Sequence, residues 1–108
     1  MNKTIEPVNF KADQSIINKI NKQFDDLPNY HSEITSADIY LKKLKENPLY
    51  DNLVEIKVFL AGREVYAEGT GENIYAAANK AYDKVKRQLS ETKKRDKDHR
   101  QPNIYKEG

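Results

Sequence analysis

The chain has no cysteine, and only two of its 108 residues are histidines, His31 and His99. Without cysteine there can be no disulfide framework, no thiolate nucleophile and no cysteine-ligated zinc site, and the two histidines lie far apart in sequence. No apolar run approaches the roughly 20 residues needed to cross a bilayer, and the first ten residues lack the apolar centre of a signal peptide. We therefore expect a cytoplasmic protein without a metal, a cofactor or a membrane-spanning segment.

The charge of the chain is small in sum but uneven in distribution. The formal net charge at pH 7 is +2. Residues 1–79 carry nine basic and twelve acidic side chains, a net charge of −3, whereas residues 80–100 carry nine basic and four acidic side chains, a net charge of +5. Such a cationic segment attracts polyanions, but it is also typical of a solvated helix face. Charge alone leaves both interpretations open.

Hydrophobic periodicity predicts a strand and a helix in the first part of the chain. Val8 and Phe10 alternate with polar residues, which predicts a short first strand. Because proline cannot donate a ladder hydrogen bond, Pro7 requires either that this strand lies at a sheet edge or that Pro7 is at its beginning. Apolar residues recur every three to four positions over residues 14–27, which predicts an amphipathic helix. Pro28 is expected to help end it.

Three strands and a second helix are predicted to follow. Period-two alternation indicates strands at residues 33–44, 54–61 and 64–68, the last two joined as a hairpin through Gly62 and Arg63. Gly69 and Gly71 are expected to break the last strand. A helix follows over residues 72–89, and Asn73 can cap it.

The order βαβββα predicts an α+β fold with two layers. A four-stranded mixed sheet would carry both helices on one face, with its last three strands as an antiparallel meander. The first strand would lie parallel to the second through a right-handed crossover. Residues 95–108 have no apolar periodicity, so we expect a folded domain at residues 1–94 and a flexible polar tail at residues 95–108.

No arrangement of residues predicts catalysis. Gly69 and Gly71 lack a GxGxxG pattern and a following lysine and serine, which favours a strand exit and helix cap over phosphate binding. Asp25 and Asp26 should point apart at a helix end and be solvated. His31 has no nucleophile or acid to act with, so we expect it in a surface loop. We therefore expect a non-enzymatic protein without a small-molecule substrate.

A basic surface shared by the two helices is the remaining functional signal. Lys80, Lys84, Arg87 and Lys94 fall nearly opposite the apolar stripe of the second helix. Other cations flank them or lie on the first helix: Lys86, Lys93, Arg95, Lys19 and Lys22. If the helices lie side by side, these cations form one strip suited to phosphate oxygens. This favours recognition of the shape and phosphates of folded RNA over sequence-specific readout.

The tyrosines allow two interpretations, stacking on bases or packing within the fold. Tyr75 and Tyr82 border the apolar stripe of the second helix and are expected at the edge of the core. Tyr40 and Tyr66 are expected on the open face of the sheet, where cross-strand packing is favoured over base stacking.

Two segments and the element order resemble the family of ribosome hibernation-promoting factor and ribosome-associated inhibitor (protein Y). The second helix of that family begins with a D-M-Y-A-A-I-D type motif and continues as K-L-x-R-Q-L. Here N-I-Y-A-A-A-N stands at residues 73–79 and K-V-K-R-Q-L at residues 84–89. Residues 8–27, VNFKADQSIINKINKQFDDL, are similar to the family's first strand and helix, so the resemblance covers about residues 5–95. Asn73 and Asn79 replace aspartates of the family. The loss of two negative charges beside the basic residues should favour the binding of an anion.

The resemblance implies a bacterial cytoplasmic protein that binds the small ribosomal subunit and its ribosomal RNA in the channel for messenger and transfer RNA. Such a factor inhibits translation in stationary phase or stress. Residues 1–94 would be the ribosome-binding domain of a short form that is a monomer off the ribosome. By resemblance, the ribosomal-RNA contacts are Lys80, Lys84, Lys86, Arg87, Lys93 and Lys94, with Lys19, Lys22 and Arg63 as further contacts.

Other functions stay open on the sequence. The first alternative is a stand-alone double-stranded-RNA-binding module, whose order αβββα lacks the first strand and whose last helix has a lysine-rich start that this chain lacks. A protein-interaction module that binds through the open sheet face is another. A small hydrolase is conceivable, but the sequence offers no nucleophile with a base.

Overall fold

Four strands form one mixed sheet, and two helices cover one of its faces. The computed structural model describes the backbone of residues 1–44 and 51–107 and the side chains of residues 1–44 and 51–94. The order βαβββα confirms the predicted α+β fold. The elements are β1 (Asn2–Pro7), α1 (Gln14–Gln23), a short 3-10 helix (Leu27–Asn29), β2 (Ile34–Lys43), β3 (Asn52–Leu60), β4 (Arg63–Gly71) and α2 (Ile74–Glu107).

The strands lie in the order in which they occur along the chain. β1 pairs parallel to β2, with Ile5 opposite Ile39, and β2, β3 and β4 form an antiparallel meander. The predicted mixed sheet, with β1 at one edge, is therefore confirmed. The parallel pair exists because α1 carries the chain back across the sheet between β1 and β2, as a βαβ unit requires.

The core lies between the sheet and the helices. Alternate residues of β2, β3 and β4 are buried on the helix side, which the period-two pattern predicts. The apolar stripe of α2 is fully or almost fully buried, at Ile74, Ala78, Ala81, Val85 and Leu89. Among the residues that the structure describes, no helix is long and apolar enough to cross a membrane.

The first strand lies earlier in the chain than its apolar residues indicated. β1 ends at Pro7, so Val8 and Phe10 follow the strand. The ladder nevertheless continues beyond Pro7, since the Val8 amide donates to the Leu41 carbonyl at 2.9 Å. The side-chain amide of Asn9 then exchanges two hydrogen bonds of 2.8 Å with the backbone of Lys43. A side chain thus completes the edge pairing, which periodicity cannot predict.

Both helices have other bounds than predicted. α1 ends at Gln23, four residues before the predicted end, and Phe24 caps it; after a turn, the 3-10 helix at Leu27–Asn29 contains Pro28 in its first turn, where proline is tolerated. α2 starts after Asn73, whose side-chain oxygen accepts the Ala76 amide at 2.8 Å, so the predicted cap is present. Helical backbone then continues to Glu107. The division into residues 1–94 and a flexible tail stays a prediction.

The two glycines predicted to break the last strand instead lie within it and admit the helix. A Cβ at Gly69 would come within 2.5 Å of the Ala77 carbonyl oxygen and 2.6 Å of the Ala81 nitrogen. A Cβ at Gly71 would come within 2.9 Å of the Ala77 nitrogen. The alanine face of α2 therefore rests directly on the backbone of β4, a separation that side chains at either glycine would prevent.

Gly69→Ala is expected to lower the free energy of unfolding by roughly 2 kcal/mol or more, because the added methyl group meets backbone atoms that cannot move independently. Urea unfolding midpoints at constant m-value measure the loss. Thr70→Ala is the matched control, since Thr70 is the next residue on β4 and faces the opposite side of the sheet. An equal loss in both variants would contradict the steric explanation.

Candidate nucleic-acid interface

The two helices lie side by side and run in the same direction. Two contacts join α1 to α2 and two more join the segment after α1 to α2, and all four pairs are 56 positions apart, a constant offset that indicates parallel axes. The Gln23 amide donates to the Asn79 side-chain oxygen at 2.6 Å, and the Lys19 ammonium lies 4.9 Å from the centre of the Tyr75 ring. The four pairs are Lys19 with Tyr75, Gln23 with Asn79, Asp26 with Tyr82 and Tyr30 with Lys86. The side-by-side placement assumed from the sequence is therefore present.

The outer side of these helices carries most of the predicted RNA contacts. We call the solvent-exposed surface of α1 and α2 the helix surface. The cations whose side chains are exposed there are Lys19, Lys22, Lys80, Lys84, Arg87, Lys93 and Lys94. The structure thus brings together seven of the nine predicted residues on one layer of the molecule.

The helix surface is cationic but not uniformly so. Asp83 and Glu91 are also exposed on α2, at distances of three and four residues from the cations around them. Acidic residues at this spacing support a helix that is rich in lysine and arginine. Five exposed cations against two exposed carboxylates within residues 80–94 still leave the surface positive.

Lys86 differs from the other predicted contacts, because its side chain is half-buried at the junction of α1 and α2. Its ammonium lies 5.5 Å from the centre of the Tyr82 ring and 6.0 Å from that of Tyr30. A cation over an aromatic face is attracted by the ring quadrupole, which makes that face electron-rich. The structure therefore directs Lys86 toward the neighbouring helix.

Tyr82 connects the two helices through its hydroxyl. This group lies 2.8 and 2.7 Å from the two carboxylate oxygens of Asp26 and 3.3 Å from the Tyr30 hydroxyl. Phe24 meets the Tyr82 ring edge-to-face at 5.5 Å. Burial raises the pKa of Tyr82, and the hydrogen bonds to Tyr30 and Asp26 raise it further. Tyr82 consequently stays protonated, as a donor to Asp26.

Arg63 lies at the β3–β4 hairpin, which Gly62 forms with a φ of 79°. β4 spans about 30 Å, and α2 needs about 20 residues to run back that length. Arg63 is therefore on a level with Lys93 and Lys94, at the far end of the sheet from Lys80. The structure separates it from the centre of the helix surface.

Two polar residues, His31 and Asp26, are placed otherwise than the sequence indicated. His31 is buried, with 2% of its surface exposed, and its Nδ1 accepts the Glu33 amide at 3.1 Å. The expectation of a surface loop was wrong for this side chain. Asp25 and Asp26 do diverge: Asp25 is exposed as expected, beside Lys3, whereas Asp26 is partly buried and accepts from Tyr82. Within residues 1–44 and 51–94, no group of three histidine, cysteine or acidic side chains is placed to hold a metal ion.

The open face of the sheet has the opposite charge character. Tyr66 lies there as expected, and its hydroxyl is 2.7 Å from Glu55 and 2.8 Å from Glu68, so it packs across the strands. Burial, followed by the bonds to both glutamates, raises the pKa of Tyr66. Lys42 forms an ion pair with Glu55. Five acidic side chains and two lysines face this side: Glu6, Asp38, Glu55, Glu64, Glu68, Lys42 and Lys57.

Comparison with known proteins is consistent with this architecture. Residues 4–97 match the family described as sigma 54 modulation protein / S30EA ribosomal protein. The crystal structure of the Thermus thermophilus protein Y N-terminal domain superposes with a TM-score of 0.71 at 24% identity, over 85% of this chain and 99% of that one. A ribosomal subunit interface protein from Coxiella burnetii superposes with a TM-score of 0.74 at 19% identity, over 86% of this chain and 98% of that one. No curated protein sequence matches.

Glu55→Gln tests the charge network of the open face through pH. The hydrogen bond from Lys42, and next that from Tyr66, holds the pKa of Glu55 below its ordinary value of 4.5. A lowered folded-state pKa stabilises the fold above pH 4.5, and the stabilisation is lost as the pH falls through the lowered value. We expect the free energy of unfolding of the wild type to exceed that of Glu55→Gln by less than about 1 kcal/mol at pH 7, because the ion pair of Glu55 with Lys42 is partly solvated.

Urea unfolding from pH 7 to pH 3 measures this difference, which should shrink below pH 4.5. Glu64→Gln is the control, because Glu64 is exposed near the start of the neighbouring strand β4 and its change in the free energy of unfolding should stay within about 0.5 kcal/mol. A difference between wild type and Glu55→Gln that stays constant over this range would contradict the assignment.

Proposed function

Because this chain belongs to the sigma 54 modulation protein / S30EA ribosomal protein family, we propose that it is a non-enzymatic ribosome hibernation factor. It binds the small ribosomal subunit in the cytoplasm, in the channel for messenger and transfer RNA. The folded domain occupies this channel and prevents translation during stationary phase or stress. The family is one of ribosome-associated factors and is not an enzyme class, which supports an associated role without catalysis.

The parallel pairing of α1 and α2 is the observation that carries this proposal. It unites cations that are about 60 residues apart in sequence, such as Lys22 and Lys84, on one exposed layer. Phosphate groups of a folded RNA are bound by such distributed cations, each contact releasing counterions. The two tyrosines beside these cations on α2, Tyr75 and Tyr82, are partly buried and already contact Lys19 and Asp26 within the fold. This supports recognition of phosphates and shape.

Inhibition by this mechanism requires only occupancy. A domain held by several phosphate contacts excludes messenger and transfer RNA from the volume that it fills, so no substrate has to be turned over. The contacts that we propose are Lys19, Lys22, Lys80, Lys84, Arg87, Lys93 and Lys94, with Arg63 at the far end of the sheet. The open face, with its excess of carboxylates, would turn away from the RNA because like charges repel.

The layout weighs against a stand-alone double-stranded-RNA-binding module. That module lacks a first strand, whereas β1 here pairs with β2 over six residue positions. The proposal therefore favours the intact small subunit over free duplex RNA. A competition assay with both ligands separates the two functions.

Lys84→Glu combined with Arg87→Glu is expected to weaken binding to small subunits by at least tenfold, because two attractive phosphate contacts become repulsive. Co-sedimentation with purified subunits at several salt concentrations measures the affinity. The slope of log affinity against log salt should also flatten by about one for each contact removed.

The control for this double charge reversal is Lys11→Glu combined with Lys57→Glu, which changes the net charge equally. Lys11 lies in the loop before α1 and Lys57 on the open face, so both are outside the helix surface. This variant should keep near wild-type binding. If both double variants weaken binding equally, net charge and not the helix surface governs binding. If neither weakens it, Lys84 and Arg87 make no contact. Either result would show that the proposed interface is wrong.

A further inference from the structure

Four side chains at the junction of α1 and α2 form a polar contact that ordinary packing does not require. Asp26 and Tyr30 follow α1, whereas Tyr82 and Lys86 lie one turn apart on α2. We call these four residues the inter-helix clamp. The Tyr82 hydroxyl bridges both carboxylate oxygens of Asp26, and Tyr30 lies against the same hydroxyl.

The clamp places a carboxylate within a cationic layer, where Asp26 on its own would oppose phosphate binding. Its two oxygens are instead occupied by a phenol at 2.7 and 2.8 Å. Hydrogen bonds to a charged acceptor are among the stronger ones in proteins and are directional. They therefore set the position of the chain after α1 relative to α2 more narrowly than the apolar contact of Phe24 would.

Lys86 belongs to this contact by its geometry. It is half-buried, and it faces both tyrosine rings of the clamp. Lys84 and Arg87, its neighbours on α2, are exposed.

We propose that Asp26, Tyr30 and Tyr82 are positioning residues for RNA binding and that Lys86 serves this clamp in place of contacting phosphate. The clamp holds the end of α1 in place by fixing the segment that follows it against α2, so that Lys22 on one helix and Lys84 and Arg87 on the other meet the RNA as one rigid surface. A surface fixed before binding loses less freedom on binding than two helices that move independently. This inference rests on the proposed ribosome binding and adds the device that orders its interface.

Tyr82→Phe removes the hydroxyl and keeps the ring that meets Phe24 and Lys86. We expect small-subunit binding to weaken roughly threefold to tenfold, which lies in the lower part of the range of coupling between groups in contact. Tyr66→Phe is the matched control, because it removes a phenol that lies on two carboxylates on the opposite face of the sheet. It should leave binding unchanged even where thermal unfolding shows a similar loss of stability.

A double-mutant cycle separates positioning from a general loss of stability. Lys22→Ala is measured in wild type and in Tyr82→Phe, each at a temperature where the variant is fully folded. If the clamp aligns the two helices, removing Lys22 costs less affinity in Tyr82→Phe than in wild type. Equal cost in both backgrounds would overturn the positioning role. Asp26→Asn, which keeps an acceptor and loses the charge, provides a second clamp variant if Tyr82→Phe does not fold.

Lys86→Gln and Lys84→Gln test the role of Lys86 directly. Lys84→Gln should flatten the salt slope of binding by about one, whereas Lys86→Gln should lower the melting temperature and leave the slope unchanged. A flattened slope for Lys86→Gln would show a phosphate contact and overturn its assignment to the clamp. If the wild-type protein does not bind small subunits, the proposed function itself is wrong. If the wild type binds and Tyr82→Phe binds with the same affinity, only the positioning role of the clamp is wrong.

Discussion

The close approach of α2 to β4 is the constraint on which the other features depend. Gly69 and Gly71 present bare backbone to Ala77 and Ala81, so helix and strand pack at a distance that larger residues would not permit. This contact sets the height of α2 above the sheet. It therefore also sets where α1 can lie beside α2, and whether Tyr82 can reach Asp26.

From that contact the molecule acquires two faces with different chemistry. The helix layer buries its apolar stripe and turns its cations outward, while the sheet buries alternate residues and turns its polar ones the other way. The periodicity of each helix or strand thus determines which face of the molecule each of its charged side chains lies on. The separation of positive and negative charge is a geometric result of a two-layer fold built from such sequences.

The sequence predicts what depends on local period and misses what depends on a distant partner. The predicted buried residues of β3 and of the apolar stripe of α2 are buried in the structure, because each pattern depends only on which side of its own element faces the core. Lys86 could not be distinguished from Lys84 by its spacing alone, since the contact with Tyr30 comes from a segment far away in the sequence. Burial of His31 and pairing through Asn9 likewise depend on chain segments that no periodicity connects. The one sequence feature that could have indicated the inward position of Lys86 is Tyr82, one helical turn before it, because a lysine and an aromatic residue at this spacing can contact each other.

The excess of cations on the helix surface and of carboxylates on the open face gives the molecule an electric dipole across its thin dimension. In the field of a polyanion such a dipole experiences a torque, and the domain rotates before any contact forms. Orientation would thus be selected during diffusion, at separations comparable with the screening length of about 8 Å at physiological ionic strength. The fraction of collisions that begin in a productive orientation then becomes a property of the fold and of the salt concentration.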